Sequence, residues 1–391
     1  MFKKILQNTN LRSSLSLLNQ LRCWMAVRLG PSLEKLLPAS LWPQDPPLLG
    51  LAISSQAIQL LWLERRYNTC KVLYYAYRAL PAGTIVDRKI KTPEKITKTL
   101  KDLLTASACK VKQVAIALPN MHVITKQIHM SADLSEFTLA SDIEFEAAHN
   151  LSMPMENVSL DYHVLGPSEE DPTQKNVLLI ASLNAPIAER VKILEEADLE
   201  VKVVDVESYV LQRSVEFCLA RFPPEASKEW VVLFDFSADT LSFIALHNGQ
   251  LVYHQEDFFI TDELTRLVIE KYNLAPTLSS YAEWATLVPT YYFVDLFPLI
   301  QPLLLKQISY CLQLFASTLF FNKIDYVFLS GDIAMVPGAD AWLSKELNMP
   351  AVGIANPLQD ADFAEGVNQE MLKRQAPSLM RVMGLALRGT H

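Results

Sequence analysis

Two stretches of this chain open in the same way, and that repetition limits the folds open to it. At residue 48 the apolar run Leu48-Leu-Gly-Leu-Ala-Ile53 is followed by strand-like segments over 59–64 and 70–77, with 65–69 as the turn. At residue 231 the run Val231-Val-Leu-Phe-Asp235 passes through a short turn and returns as Thr240-Leu-Ser-Phe-Ile-Ala245. A shorter third strand follows over 250–255. Runs of β-branched, aromatic and aliphatic residues broken by small and polar ones are strand-and-turn signals. Two such openings, separated by helical patterns, imply a duplicated α/β fold with two lobes. The 391 residues are enough for two or three domains with substantial cores.

Between the two openings, Thr92-Pro93-Glu94 reads as a helix start, with Thr92 as cap and Pro93 at the first helical position. That helix runs to about residue 108, and a strand over 111–118 ends at Pro119-Asn120. Strands over 123–130, 158–165 and 176–183, with helices over 134–150 and 186–197, read as an inserted α/β subdomain. A strand over 200–206 returns to the main sheet, followed by a helix over 208–221. In the second half, helices are expected over 261–271, over 301–320 with Pro302 in the first turn, and over 339–347. A buried strand over 325–330 ends in Gly331, and a terminal helix starts at Pro377. The expected parts are an extension and linker over 1–47, a first lobe over 48–120 and 200–230, the inserted subdomain over 121–199, and a second lobe over 231–391.

Composition removes several classes of function. The net charge of -8 argues against general nucleic-acid binding, which needs a basic surface. Cysteines 23, 70, 109, 218 and 311 stand far apart without a CxxC pair, so neither a metal cluster nor a disulfide framework is expected, and a reducing cytoplasm fits. No stretch of eighteen uninterrupted apolar residues suggests a spanning helix. Met-Phe-Lys-Lys-Ile imitates a signal peptide's basic opening, but no apolar core or cleavage site follows. Leu11, Leu15, Leu18, Leu21, Met25 and Leu29 recur at helical spacing beside Lys3, Lys4, Arg12, Arg22 and Arg28. Such a basic amphipathic helix can lie on an anionic bilayer or dock on protein. Pro38, Pro43, Pro46 and Pro47 then make a stiff linker.

Several runs, in order, carry a family resemblance. They are Pro81-Ala-Gly-Thr-Ile-Val-Asp87, Ala117-Leu-Pro-Asn-Met-His-Val-Ile-Thr-Lys-Gln-Ile, Pro154-Met-Glu-Asn-Val-Ser-Leu-Asp-Tyr-His-Val-Leu-Gly166 and Val203-Val-Asp-Val-Glu-Ser-Tyr. Leu329-Ser-Gly, Val336-Pro-Gly and Ala355-Asn-Pro357 continue them. Over roughly 48–388 the chain resembles the PilM family, cytoplasmic assembly proteins of type IV pilus systems. The resemblance implies an actin-like, FtsA-related two-lobed fold with duplicated ribonuclease-H-like domains and an inserted α/β subdomain. It also implies a scaffold, peripheral at the cytoplasmic side of the inner membrane, that binds the N-terminus of a PilN-like membrane protein and links it to other pilus components and the motor. The alternatives are an ATP-binding or weakly ATP-hydrolysing adaptor and an FtsA-like cell-division protein.

Against the family's nucleotide loops this sequence departs three times. Ala52-Ile-Ser54-Ser55-Gln56 stands where the family has an acid and a glycine, and Gln59 where a lysine is usual. Alanine cannot organise a magnesium shell. Asp235 matches the second loop's acid and Ala238 its small residue, but Ser237 replaces a glycine. Asp239 adds a carboxylate that repels phosphate unless a cation bridges the two. In the adenosine loop Ser330 and Gly331 persist, while Asp332 and Ile333 add bulk. The expectation is a scaffold without a cofactor, ATP with magnesium being the alternative, and no catalytic residue is assigned.

The resemblance places a partner-peptide groove at Pro119, Asn120, Val123, Thr125 and Lys126, with Leu139, Ile143 and Phe145 either lining it or burying their helix on its sheet. Glu136, Asp142, Glu144 and Glu146 read as a solvated helix face rather than paired catalytic carboxylates. The histidines, His122, His129 and His163 among them, form no ligand set, and no metal site is expected.

Overall fold

Three antiparallel strands begin the described chain: β1 (Leu49–Ile53), β2 (Ala57–Arg66) and β3 (Thr69–Ala79). The structure is a computed structural model, and it describes residues 48–66, 69–107, 109–150, 154–168, 171–223, 229–237, 239–259, 262–276, 287–289, 292–319, 323–349 and 351–389. The extension and linker expected over 1–47 lie outside these residues. Neighbours Leu60 and Leu61 of β2 are both buried, so this strand is covered on its two faces and its apolar run does not alternate.

A small hairpin follows, β4 (Ile85–Val86) and β5 (Lys89–Ile90). Helix α1 (Pro93–Ser107) opens on its proline and buries Ile96, Leu100, Leu103 and Leu104 at helical spacing. Its expected cap differs in detail. Lys95 N donates to the Thr92 carbonyl at 3.1 Å, and the Thr92 hydroxyl is buried without a partner. Strand β6 (Gln113–Leu118) then pairs parallel to β1.

Residues 124–184 form a compact unit of their own. Its elements are β7 (Val123–Ser131), α2 (Glu136–Asn150), β8 (Val158–Pro167) and β9 (Gln174–Leu183), with sheet order β7-β9-β8. Leu139, Ile143 and Ala147 recur every four residues and place one helix stripe against Ile128, Met130, Val177, Leu179 and Ala181. Alternate residues of the central strand β9 therefore supply the floor of this small core.

The second unit resumes with α3 (Asn184–Glu196), β10 (Glu200–Val206) and α4 (Glu207–Leu219). Strand β10 pairs parallel to β6. The second meander is β11 (Trp230–Ser237), β12 (Thr240–His247) and β13 (Gln250–Phe258), the last longer than expected. Helices α5 (Asp262–Lys271) and α6 (Tyr292–Thr318) follow. Then come β14 (Tyr326–Gly331), α7 (Ala339–Leu347), β15 (Val352–Ile354), β16 (Asp362–Phe363), α8 (Gln369–Gln375) and α9 (Met380–Ala386).

The first large sheet runs β10-β6-β1-β2-β3-β16 and the second β13-β12-β11-β14-β15. In each, an antiparallel meander is continued from its first strand by parallel strands. The two lobes thus repeat one strand order, as the matching openings at 48 and 231 implied. β11 is buried nearly throughout because β12 and β14 flank it in the sheet and core side chains cover its faces.

Helix α6 corrects an expectation. It starts at Tyr292, so Pro298 and Pro302 both lie inside it rather than Pro302 in its first turn. A proline inside a helix costs about 3 kcal/mol. Phe293, Leu296, Phe297, Ile300 and Leu304 lie on one stripe buried in the second lobe's core. Each such burial contributes about 1.5–3 kcal/mol, so the sum outweighs both prolines. The terminal segment also differs from one uniform helix. Tight turns over 376–379 and 387–389 flank α9. Gly384 lets α9 meet α4 backbone to backbone, since a Cβ there would sit 2.0 Å from the Val210 carbonyl oxygen.

Candidate functional site

Asp235 is placed by the sheet. Across β12 it faces Ser242, and across β14 it faces Ser330. Its carboxylate is buried, at 1% exposure, and both oxygens are engaged. Ser330 Oγ donates to Oδ1 at 2.6 Å, and Arg381 Nε of α9 donates to Oδ2 at 2.9 Å. Arg381 also donates from Nη1 to Glu207 Oε2 at 2.9 Å and from Nη2 to Ser242 Oγ at 2.9 Å. Burial opposes its charge, but Glu207, Asp235 and Glu256 overcome that and push its pKa up.

Glu207, at the start of α4, joins this cluster to the β4–β5 hairpin. Arg88 Nη2 donates to Glu207 Oε2, and Arg88 Nη1 lies 2.7 Å from Glu256 Oε1 on β13. The hairpin turn aims Arg88 inward: Asp87 and Arg88 have φ of 50° and 62°. Two successive left-handed residues make the turn type that matches strand twist, and non-glycine residues pay conformational energy to adopt it. Burial works against ionisation of Glu207, yet Arg88 and Arg381 hold its carboxyl down to about 2. Glu256 is displaced the other way: burial and then repulsion by Glu207 raise it, with Arg88 and Arg381 opposing. Arg190 of α3 lines the same cleft and adds positive charge toward Glu207.

The loops expected to hold phosphates bond to themselves and to each other. Ser54 Oγ donates to the Ala57 carbonyl at 3.2 Å and accepts from Ala57 N, which makes it a turn residue. Ser55 Oγ donates to Asp239 Oδ1 at 2.9 Å, bridging the two loops directly. Ala52 and Gln59 are cross-strand partners, so the position of the family acid and that of its lysine are neighbours here without charge. Ser237 closes its hairpin by accepting from Thr240 Oγ1 on its carbonyl at 3.0 Å. Ala238 lies outside the described residues. Gly331, with φ of 78°, crosses so close to β11 that a Cβ would lie 1.9 Å from the Phe236 carbonyl oxygen. Asp332 N donates to that oxygen at 2.7 Å, and Ile333 is buried in the second lobe's core.

In this conformation the donor set does not fit a magnesium–phosphate group. Both oxygens of Asp235, the acid that would face the cation, already accept from a serine and a guanidinium, and the two loops are bonded to each other through Ser55 and Asp239. Among the described residues no group of three or more His, Cys, Asp or Glu side chains is gathered to hold a metal ion.

A second buried pair fixes the same terminal segment. Asp205 Oδ2 accepts from Arg213 Nη2 at 3.0 Å and from Arg388 Nε at 2.7 Å. Burial opposes its charge, but Arg213 and Arg388 hold its carboxyl below the usual range. Arg381 and Arg388 therefore meet Glu207 and Asp205, two acids of the Val203–Tyr209 run. That run was visible in the sequence, but neither Arg88 nor Arg381 carried a local signal for its partners.

The expected groove residues divide between the two units. Pro119 is buried, and Asn120 Oδ1 accepts from Ser208 N at 3.2 Å. Val123 and Thr125 are half-buried and Lys126 is exposed. Leu139 and Ile143 bury α2 on its own sheet. Phe145 is 65% exposed, its ring centroid 4.5 Å from that of His149. Glu144 is exposed and Asp142 and Glu146 half-buried, while the Glu136 side chain is outside what the structure describes. Among the described residues no helix is long and apolar enough to cross a membrane.

A family model described as "Type IV pilus assembly protein PilM" matches residues 50–390. A solved structure described as "PilM-PilN type IV pilus biogenesis complex" is similar at 22% identity, covering 89% of this chain and 99% of that one, with a TM-score of 0.69. The ethanolamine utilization protein EutJ from Carboxydothermus hydrogenoformans is similar at 11% identity, covering 88% of this chain and 90% of that one, with a TM-score of 0.51. At these identities the likenesses speak for the fold alone.

Proposed function

Because the chain belongs to the PilM family of type IV pilus assembly proteins, we propose that it is a scaffold at the cytoplasmic side of the inner membrane, docking the N-terminal segment of a PilN-like membrane protein. The family match over 50–390 carries this reading. The fold likeness to the PilM component of a PilM–PilN complex supports it. In that role no bond is made or broken, and the protein links the membrane complex to other inner-membrane and motor components. Residues 1–47, with their basic amphipathic pattern, are the segment for peripheral contact with lipid.

Within the inserted unit the peptide site belongs with Thr125, Lys126 and Phe145. Phe145 offers an exposed aromatic surface, while Leu139 and Ile143 act one layer below by holding α2 in place. An extended peptide would gain main-chain hydrogen bonds and bury alternate side chains. The two large sheets are read as copies of one ribonuclease-H-like domain, on the strength of their repeated strand order. The cleft between them works without nucleotide in this reading, because its acids are already paired with arginines. Calorimetric titration tests both parts. Saturable heat with a synthetic PilN-like N-terminal peptide and none with Mg-ATP is the expected outcome. Heat with Mg-ATP alone would replace the scaffold by a nucleotide-switched adaptor.

A further inference from the structure

The interlobe cleft contains a charge cluster whose members come from four separate places. Arg88 projects from the β4–β5 hairpin, Glu207 from the head of α4, and Arg381 from α9. Asp235, Ser242 and Glu256 stand on three adjacent strands of the second sheet. Arg381 touches both lobes at once: one nitrogen is on Glu207 of the first and two others are on Asp235 and Ser242 of the second. Ser242 Oγ passes the connection on, donating to Glu256 Oε1 at 3.3 Å, and Glu256 meets Arg88 again.

We infer that Arg381 and Arg88 are built-in counter-ions that clamp the two lobes in a single relation, doing permanently what a bound cation and phosphate would do only while present. The clamp deepens the reading of the cleft as nucleotide-independent and rests on it. Its charges balance internally, Arg88, Arg190 and Arg381 standing against Asp235, Glu207 and Glu256. Asp239 at the mouth leaves an additional negative charge facing any incoming phosphate. The left-handed turn at Asp87-Arg88 is an unfavourable backbone conformation retained at the point where its side chain closes the cluster. Arg381 sits between Met380 and Val382, both fully buried, so the helix cannot turn its guanidinium away without unpacking the core.

A double-mutant cycle on the full chain tests the clamp, read by thermal melting and by amide exchange over 240–247 and 380–386. Arg381→Gln is expected to lower the melting temperature on the order of 5 °C and to speed exchange in both segments. Asp235→Asn lowers it as well, and the double variant loses less than the sum, because each change removes the charge that the other leaves unpaired. Losses that simply add, or Arg381→Gln melting within about 1 °C of the parent, overturn the inference. If Arg381→Gln does not fold, Arg381→Lys enters the same cycle, keeping the charge but not the three-way donation. A rise in the parent's melting temperature with Mg-ATP overturns the inference too, by showing that the cleft opens to take the ligand. Peptide titration reports on docking alone, so a failure of either idea is distinguishable from a failure of the other.

Discussion

Arg381 donates from Nε to Asp235 Oδ2 across 2.9 Å, joining residues 146 positions apart in the chain. The contact makes the acid near the end of an interior strand one half of an internal ion pair. Its counterpart is Arg388 on Asp205, two helical turns further along. Both acids are almost wholly buried, so each arginine neutralises a charge that would otherwise be costly to keep out of water.

Asp205→Asn should therefore be among the more damaging single changes. It leaves Arg213 and Arg388 together without their shared anion. A loss of about 3–5 kcal/mol is expected, measured by urea denaturation at neutral pH. A loss under about 1 kcal/mol would mean that solvent reaches the pair and screens it.

Gly331→Ala should destabilise without touching any charge. Its positive φ and the 1.9 Å approach of a Cβ to the Phe236 carbonyl oxygen leave no room for a methyl group, and the obstructing atoms are backbone. Expected is a loss of more than about 2 kcal/mol in the same denaturation assay. Wild-type stability in this variant would show that β11 and β14 separate more easily than their pairing implies.

The acid limb of stability should carry the signature of Glu207. Its folded pKa, about 2, lies below the ordinary 4.5, so its contribution is complete above 4.5 and disappears as pH falls towards 2. The full effect is about 3 kcal/mol. Asp205, also depressed, acts in the same direction, whereas Glu256, raised by burial and by Glu207, acts oppositely and loses its contribution as pH rises through its folded value. Glu207→Gln should flatten the limb between pH 4.5 and about 2 without abolishing it. An unchanged slope in a pH series of denaturation curves would assign the limb to other carboxylates.

Ile143→Ala and Phe145→Ala separate packing from docking on one helix. Ile143 is fully buried in the inserted unit, and its truncation should cost about 2–5 kcal/mol. Phe145 is mostly exposed, so its truncation should leave stability within about 0.5 kcal/mol while weakening the PilN-like peptide at least about fivefold in calorimetry. Unchanged peptide affinity would remove Phe145 from the proposed site.

Much of the scaffold was legible because it is written in local patterns. The apolar runs at 48 and 231 became the leading strands of the two sheets, and Thr92-Pro93 marked the start of α1. Pro302 misled because a local helix-breaking rule was overridden by the burial of a stripe from Phe293 to Leu304. The loops around Ser54, Ser237 and Asp332 depart from a phosphate cradle in sequence, but the bonds they make, such as Ser55 to Asp239, are tertiary and leave no local sign. Arg88 and Arg381 are 293 positions apart, and only the tertiary fold brings them to Glu207. Ion pairs of that kind leave no periodicity to read.

The segment over 376–389 enters three separate core clusters and supplies Arg381 and Arg388 to acids made far earlier in the chain. On the ribosome, Asp205, Glu207 and Asp235 all leave the exit tunnel before either arginine has been translated. The nascent chain must therefore carry Asp235 for the time it takes to add 146 further residues, roughly 7–30 s at ordinary elongation rates, and Glu207 and Asp205 for longer still. The first lobe's interior and the face of the second sheet that meets α4 are completed together by this late segment, which makes a prematurely stopped chain a natural target for quality control.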